Sequence, residues 1–345
     1  DLGCYGSTKH RTPHIDQMAK EGIRLTDFYV GSSVSTPSRS ALLTGCYPRR
    51  VSMHVNADPT PLMSKGRQVL FPASHKGLNP GEITIAELMK EQGYATACIG
   101  KWHLGDQLPF LPTRQGFDYY GIPYSNDMDR PYCPLPLMEQ EEVIVAPVGH
   151  DSLTIRYTNK TVEFIKSHKE SPFFIYLCHN MTHNPLAASP AFKGKSQNGL
   201  YGDATEELDW SMGVLLETLK EEGLDQNTLV IFTSDNGADE HFGALGAAEL
   251  AVGVGGGTGL QFAGALQGRG LETAEDVGDG LVDGGDAGHG DRAGNHAHGI
   301  GGIAGVLGLP QLILAPPAQQ VIVDDRHERH GLGIFAHEYR EPSRI

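Results

Sequence analysis

No uninterrupted apolar run in the 345 residues approaches the ~18 that a membrane-spanning helix needs, which excludes a helical membrane protein. There is no CxxC pair. The five cysteines, Cys4, Cys46, Cys98, Cys133 and Cys178, are odd in number and scattered, so neither a zinc ribbon nor a disulfide framework is implied. Basic residues are outnumbered, 27 Lys and Arg against 42 Asp and Glu, for a formal charge of −15. That surplus repels nucleic-acid phosphates and anionic lipid, and neither is expected as a partner. The chain opens at Asp1 with no methionine, basic stretch or apolar stretch of a leader, so any signal peptide is expected to have been removed or to lie outside this segment. Lysine is absent after Lys220 and cysteine after Cys178, while residues 241–345 carry 24 of the 44 glycines and 7 of the 16 histidines. The composition therefore breaks near His241.

What is present before that break suits one large α/β domain: 39% hydrophobic and 20% charged residues, in alternating helix and strand signals that predict a parallel sheet flanked by helices. Thr12-Pro13 offers a cap and first-turn proline for a helix through Ile15, Met18 and Ala19, stopped by Gly22 and followed by the strand-like Ile23 to Val30. An amphipathic helix from Ile83 to Gly93 precedes the strand YATACIG. A helix from Leu153 to His168 precedes PFFIYLCHN, and a longer one from Asp203 to Glu222 precedes TLVIFTSDNG. After His241 the glycine density defeats both periods, and only LGLPQLILAPPAQQVIVDD is expected to supply a strand. The histidine-rich GHGDRAGNHAHG at 288–299 is a candidate metal tract that lacks a scaffold of fixed spacing.

In open α/β sheets ligands bind beyond the carboxyl ends of the strands. Four polar loops stand there. After the first strand, Ser35-Thr36-Pro37-Ser38-Arg39 leads into a helix whose positive end, with Arg39, would stabilise an anion facing Ser35. After the second, Lys101 and His103 lie two residues apart and in an extended segment would project to one side, flanking Trp102 as two cationic donors. After the third comes His183, ahead of Pro185. After the fourth, Asp235 and Asn236 present adjacent oxygens of the kind hard cations prefer. Each has an ordinary reading alone: an N-cap, a packed histidine, a loop histidine, an Asp-Asn-Gly turn. Together they fit an oxyanion ester and a divalent cation.

STPSRSALLTG at 35–45 resembles the signature of the type I, formylglycine-dependent sulfatases, on the arylsulfatase side of the family, in its serine form. GKWHLG, LPTRQGFDYYGIPYSNDM, THNPL and TSDNG follow in the family's order, so the resemblance covers about residues 1–240 as a catalytic domain and leaves 241–345 outside it. It implies an alkaline-phosphatase-like, mostly parallel α/β sheet and a sulfuric ester hydrolase acting on a sulfated carbohydrate or aryl sulfate. It further implies conversion of Ser35 to formylglycine by a radical-SAM maturase, support of that group by Arg39, and a hydrogen bond to its hydroxyl from His103. Lys101 and His183 would contact sulfate, Asp235 and Asn236 would ligate Ca2+, and the location would be periplasmic or extracellular.

Two departures set expectations of their own. Family members carry an Asp-Asp pair ending a first strand just ahead of the segment matching DLGCYG, and a lysine in a Gly-rich stretch after TSDNG; neither is in this sequence. The sheet is expected to be incomplete at that strand and to lack the usual C-terminal subdomain. The tail reads either as a divergent segment or as translation in a shifted frame from just after Ala238. A non-catalytic remnant and a phosphate or phosphonate ester hydrolase of the same superfamily are the competing functional readings.

Overall fold

The structure, a computed structural model, describes residues 2–55 and 67–237 and the short strands at 260–265, 311–314, 320–321 and 336–337. Two compact units divide the chain, residues 1–267 with 306–345, and residues 268–305. The second lies outside the described residues, as does the histidine-rich tract at 288–299.

The helices are α1 (Pro13–Glu21), α2 (Ser35–Thr44), α3 (Ile85–Glu91), α4 (Leu153–Ser167) and α5 (Gly199–Glu221). The strands are β1 (Ile23–Phe28), β2 (Ala95–Lys101), β3 (Asp118–Ile122), β4 (Leu137–Glu139), β5 (Glu142–Val145), β6 (Phe173–Cys178), β7 (Leu229–Phe232), β8 (Leu260–Ala265), β9 (Gln311–Leu314), β10 (Gln320–Val321) and β11 (Ala336–His337). Nine of them form one sheet in the order β1-β8-β7-β9-β6-β2-β3-β4-β5. β2 pairs parallel with β3 and β6, and β8 and β9 are inserted antiparallel to their neighbours. It follows that β1, β2, β3, β6 and β7 all run one way and end on one edge. That is the expected α/β architecture. Strands also lie where none was expected: β3, β4 and β5 between the second and third units, β11 near the end, and β8 within the glycine-dense stretch, where LQFAGA supplies enough apolar residues to pair beside β7.

β6 shows why this sequence takes a buried parallel strand. All six of its residues are apolar and buried, and alternate side chains enter two different cores. Phe173, Ile175 and Leu177 pack with Ile15, Met18, Leu153, Tyr157 and Leu215 from α1, α4 and α5. Phe174, Tyr176 and Cys178 pack with Leu42, Leu43, Ile85, Trp102 and Phe117 on the other face. The layers approach closely where β2, β3 and β6 end. Gly100 has φ +110°, and a Cβ there would overlap the Cys178 carbonyl, as one at Gly121 would overlap the Gly100 carbonyl.

α3 begins at a full capping box, Thr84 accepting from Glu87 N and Glu87 reaching back to Thr84. α1 differs from expectation. Thr12 does not cap it, because its hydroxyl is committed elsewhere, accepting from Gly3 N at 2.8 Å and donating to Asp16 at 2.9 Å. The cap comes from α5, where Asp209 accepts from Ile15 N at 2.8 Å and His14 N at 3.2 Å. Two hydrogen bonds to one buried carboxylate join the helices, so Asp209→Ala is expected to lower stability by about 2–3 kcal/mol in chemical denaturation, the range for hydrogen bonds to charged groups.

Candidate active site

α2 starts at Ser35 because Val34 is extended and Pro37 sits in the first turn, where its missing N–H costs nothing. The helix is buried from Ser35 to Leu43, Arg39 included. A buried guanidinium needs partners for its donors, and three residues supply four contacts. Nε donates to Ser35 Oγ at 2.8 Å and to Asp235 Oδ2 at 2.9 Å, Nη2 lies 2.9 Å from Asp235 Oδ2, and Nη1 donates to the Lys101 carbonyl at 2.8 Å. Ser35 Oγ in turn donates to Asp235 Oδ2 at 2.9 Å. Residue 35, residue 39 and the end of β7 are thus one unit. Burial alone would push the Asp235 carboxyl up; Arg39, then Lys101 and the Ser35 hydrogen bond, reverse this and hold it well below the usual carboxylate range. Ser38 Oγ donates to the Asp235 carbonyl, and the Asn236 amide, turned so that both ends are satisfied, accepts from Ser35 N at 3.1 Å.

Lys101, buried at the end of β2, donates to Ser125 Oγ at 3.1 Å, and Ser125 Oγ lies 3.4 Å from His183 Nε2. His183 Nδ1 meets the Asn184 carbonyl at 2.7 Å, so Nδ1 carries the proton and Nε2 is the acceptor facing Ser125 Oγ. Burial first, then Arg39, bring the Lys101 ammonium down to about 8. Burial and then Lys101 lower His183 as well.

His103 departs from the expected extended geometry. Its φ is +62°, a left-handed turn rather than an extended one. Nε2 donates to the Leu70 carbonyl at 3.0 Å, and Thr36 Oγ1 donates to the His103 carbonyl at 2.9 Å. Burial, followed by the Lys101 charge, holds the His103 imidazole well below its ordinary value. His103 is therefore neutral rather than a second cation, with Nδ1 buried and, among the described residues, without a partner. Trp102 between them is fully buried, its Nε1 donating to the Phe110 carbonyl at 2.8 Å.

All seven predicted residues thus lie on the carboxyl edge of the sheet, and Ser35, Arg39 and Asp235 are in direct contact. Sequence reasoning missed Ser125 and Asn126. Asn126 Nδ2 donates to the carbonyls of His183 and Pro185 at 3.2 and 3.1 Å. Both residues follow β3 directly, and the strand-end rule that found the other loops would have found them.

The sulfatase family model matches residues 1–271, which runs past the composition break, and the chain belongs to the sulfatase family. It is 38% identical to human arylsulfatase A over 263 residues, covering 69% of this chain and 50% of that protein. It is 38% identical to human N-acetylgalactosamine-6-sulfatase over 258 residues, covering 69% and 47%. The solved structure of the PsFucS1 sulfatase from Pseudoalteromonas sp. superposes with a TM-score of 0.64 at 27% identity, over 77% of this chain and 59% of that one. The chain therefore spans about half the length of the curated relatives it matches. Among the described residues no helix is long and apolar enough to cross a membrane.

Ca2+ does not fit the described donors alone. It takes roughly six to eight oxygens, and this place offers one carboxylate, already engaged by Arg39, and one amide. Among the described residues no group of three or more His, Cys, Asp or Glu could hold a metal ion.

The site has a titration of its own. Lys101 is a cation below about 8 and loses that charge above it, so inorganic sulfate, followed by calorimetry, is expected to bind most tightly below that pH. Affinity should fall by up to about tenfold per pH unit above it, until the raised pKa of the complex is passed.

Proposed function

We propose that the protein hydrolyses sulfate esters, with Ser35 as the precursor of formylglycine. The observation that carries this reading is the placement of Ser35 Oγ between the Arg39 guanidinium and the Asp235 carboxylate, at 2.8 and 2.9 Å. An ordinary N-cap needs neither contact. The position suits the oxidised residue: each Oγ contact could serve a hydroxyl of an aldehyde hydrate, and the buried His103 Nδ1 lacks a partner among the described residues. The hydrate would supply one hydroxyl to attack sulfur and a second whose deprotonation expels sulfate.

The rest is done by the chain's own side chains. Arg39 and Lys101 bring positive charge to the ester and to the charge that develops on its oxygens, against the carboxylates of Asp235 and Asp127, both of which act on Lys101. His103, neutral and with its Nε2 proton committed to Leu70, has Nδ1 free to accept a hydroxyl proton. His183 Nε2 is unprotonated and faces Ser125 Oγ; on taking up a proton as the anion enters, it would become a donor to a sulfate oxygen. Asp235 fixes Ser35 and Arg39 together, and Asp235 with Asn236 is assigned to the family's Ca2+ only in company with donors beyond those described. No step above passes through the metal.

The substrate class follows the relatives' names, a sulfated carbohydrate or aryl sulfate, and the partner implied is a radical-SAM maturase that takes two hydrogens from Ser35. A periplasmic or extracellular location belongs to the same reading. The test is co-expression with that maturase: the peptide holding Ser35 should lose two hydrogens by mass spectrometry, and an aryl sulfate should be hydrolysed well ahead of the matching phosphate. Unmodified serine throughout would remove the chemical centre of the proposal. In the matured protein, Arg39→Ala is expected to cost about 2–4 kcal/mol of transition-state stabilisation, read from kcat/KM, as for loss of one oriented charge-stabilising group.

A further inference from the structure

His179 is a half-buried imidazole next to the site that the proposed reaction does not use. It leaves β6 directly after Cys178, and burial brings it down to about 3, so it is neutral. Its tautomer follows from the hydrogen bonds alone. Thr158 Oγ1 donates its proton to the Thr154 carbonyl at 2.7 Å. Ser211 Oγ, 2.7 Å from Thr158 Oγ1, must therefore donate to it. His179 Nε2, 3.1 Å from Ser211 Oγ, must then be the protonated nitrogen, donating into the chain. The order is His179, Ser211, Thr158, Thr154 carbonyl, each proton spoken for, and it ties the exit of β6 to α5 and α4. The next residue is tied as well, since Tyr157 from α4 donates to Asn180 Oδ1 at 3.0 Å, and its ring lies 6.0 Å from that of His179.

These anchors stand at the root of the turn that carries His183. The Asn180 carbonyl accepts from His183 N at 3.0 Å, so the backbone position of His183 is set by that of Asn180. From the far side, Asn126 Nδ2 holds the His183 carbonyl. We infer that His179 is a positioning residue: through the proton-ordered chain to Ser211 and Thr158 it fixes the start of the 180–183 turn, and so holds His183 Nε2 against Ser125 and Lys101. The consequence for catalysis rests on the proposed sulfatase activity; the positioning itself does not.

The test uses the full chain in two arms. In the first, His179→Leu and Ser211→Ala each break the chain, the second with little change in volume, and His179→Gln keeps a donor toward Ser211. NMR of the labelled His183 imidazole should show its Nδ1 and Nε2 resonances displaced in the two breaking variants and near their original positions in His179→Gln. In the second arm, His179→Leu should lower kcat/KM on an aryl sulfate roughly tenfold, but by less than about twofold when His183 is already alanine, because effects that act through one residue do not add. Unmoved His183 resonances in both breaking variants, or full losses that add to His183→Ala, would overturn the positioning role. Displaced resonances in a protein that hydrolyses no sulfate ester would leave that role standing and sink the functional reading instead.

Discussion

The contact between Arg39 and Asp235 is the constraint on which the rest of the site depends. A guanidinium buried among apolar side chains is affordable only with an anion and hydrogen-bond acceptors around it. Asp235 meets the first requirement, and the Lys101 carbonyl with Ser35 Oγ meets the second. Because Arg39 is on α2, Lys101 ends β2 and Asp235 follows β7, satisfying one side chain fixes three elements against one another. The same contact shapes the local charge: Asp235 is already paired with Arg39, and burial keeps Lys101 near the edge of losing its proton.

A second arrangement supports this one from behind. α5 carries a run of acids that bind backbone N–H groups, Glu206 meeting the Arg11 guanidinium as well. Asp203 accepts from Gly194, Lys195 and Ser196, Glu207 from Ser189, Glu206 from Arg11, and Asp209 from α1. Loops that would otherwise carry unsatisfied donors are ordered against a single helix. With Ser211 on the same helix reaching His179, α5 connects the fold's irregular segments to the strand whose exit holds His183.

The parallel sheet, its direction and the placing of the site on one edge were legible because β2 and β6 are continuous apolar runs ended by polar residues. A strand that feeds a crossover must end where the loop begins. What sequence could not give was the identity of partners across the chain. Nothing near Thr12 announces that Asp209, almost two hundred positions later, will cap α1, and nothing in GKWHLG announces the left-handed turn at His103. Two residues apart implied two side chains on one side only while the backbone stayed extended, and the two cations expected there became one. The loss of the second follows from burial, which no local pattern encodes. Ser125 was missed for a simpler reason: YSND reads as a turn until the end of β3 is located.

The glycines at 100 and 121 have a consequence beyond the fit of three strand ends. Neither position can accept even a methyl group without displacing a neighbouring carbonyl, and the strands they hold apart carry Lys101 and lead to Ser125. The floor of the site is therefore closed to gradual change, because there is no small substitution with which to begin. Whatever diversity of substrates descendants of this sequence acquire must be written into the loops above the floor, where lengths and side chains can drift while the chemistry below stays as it is.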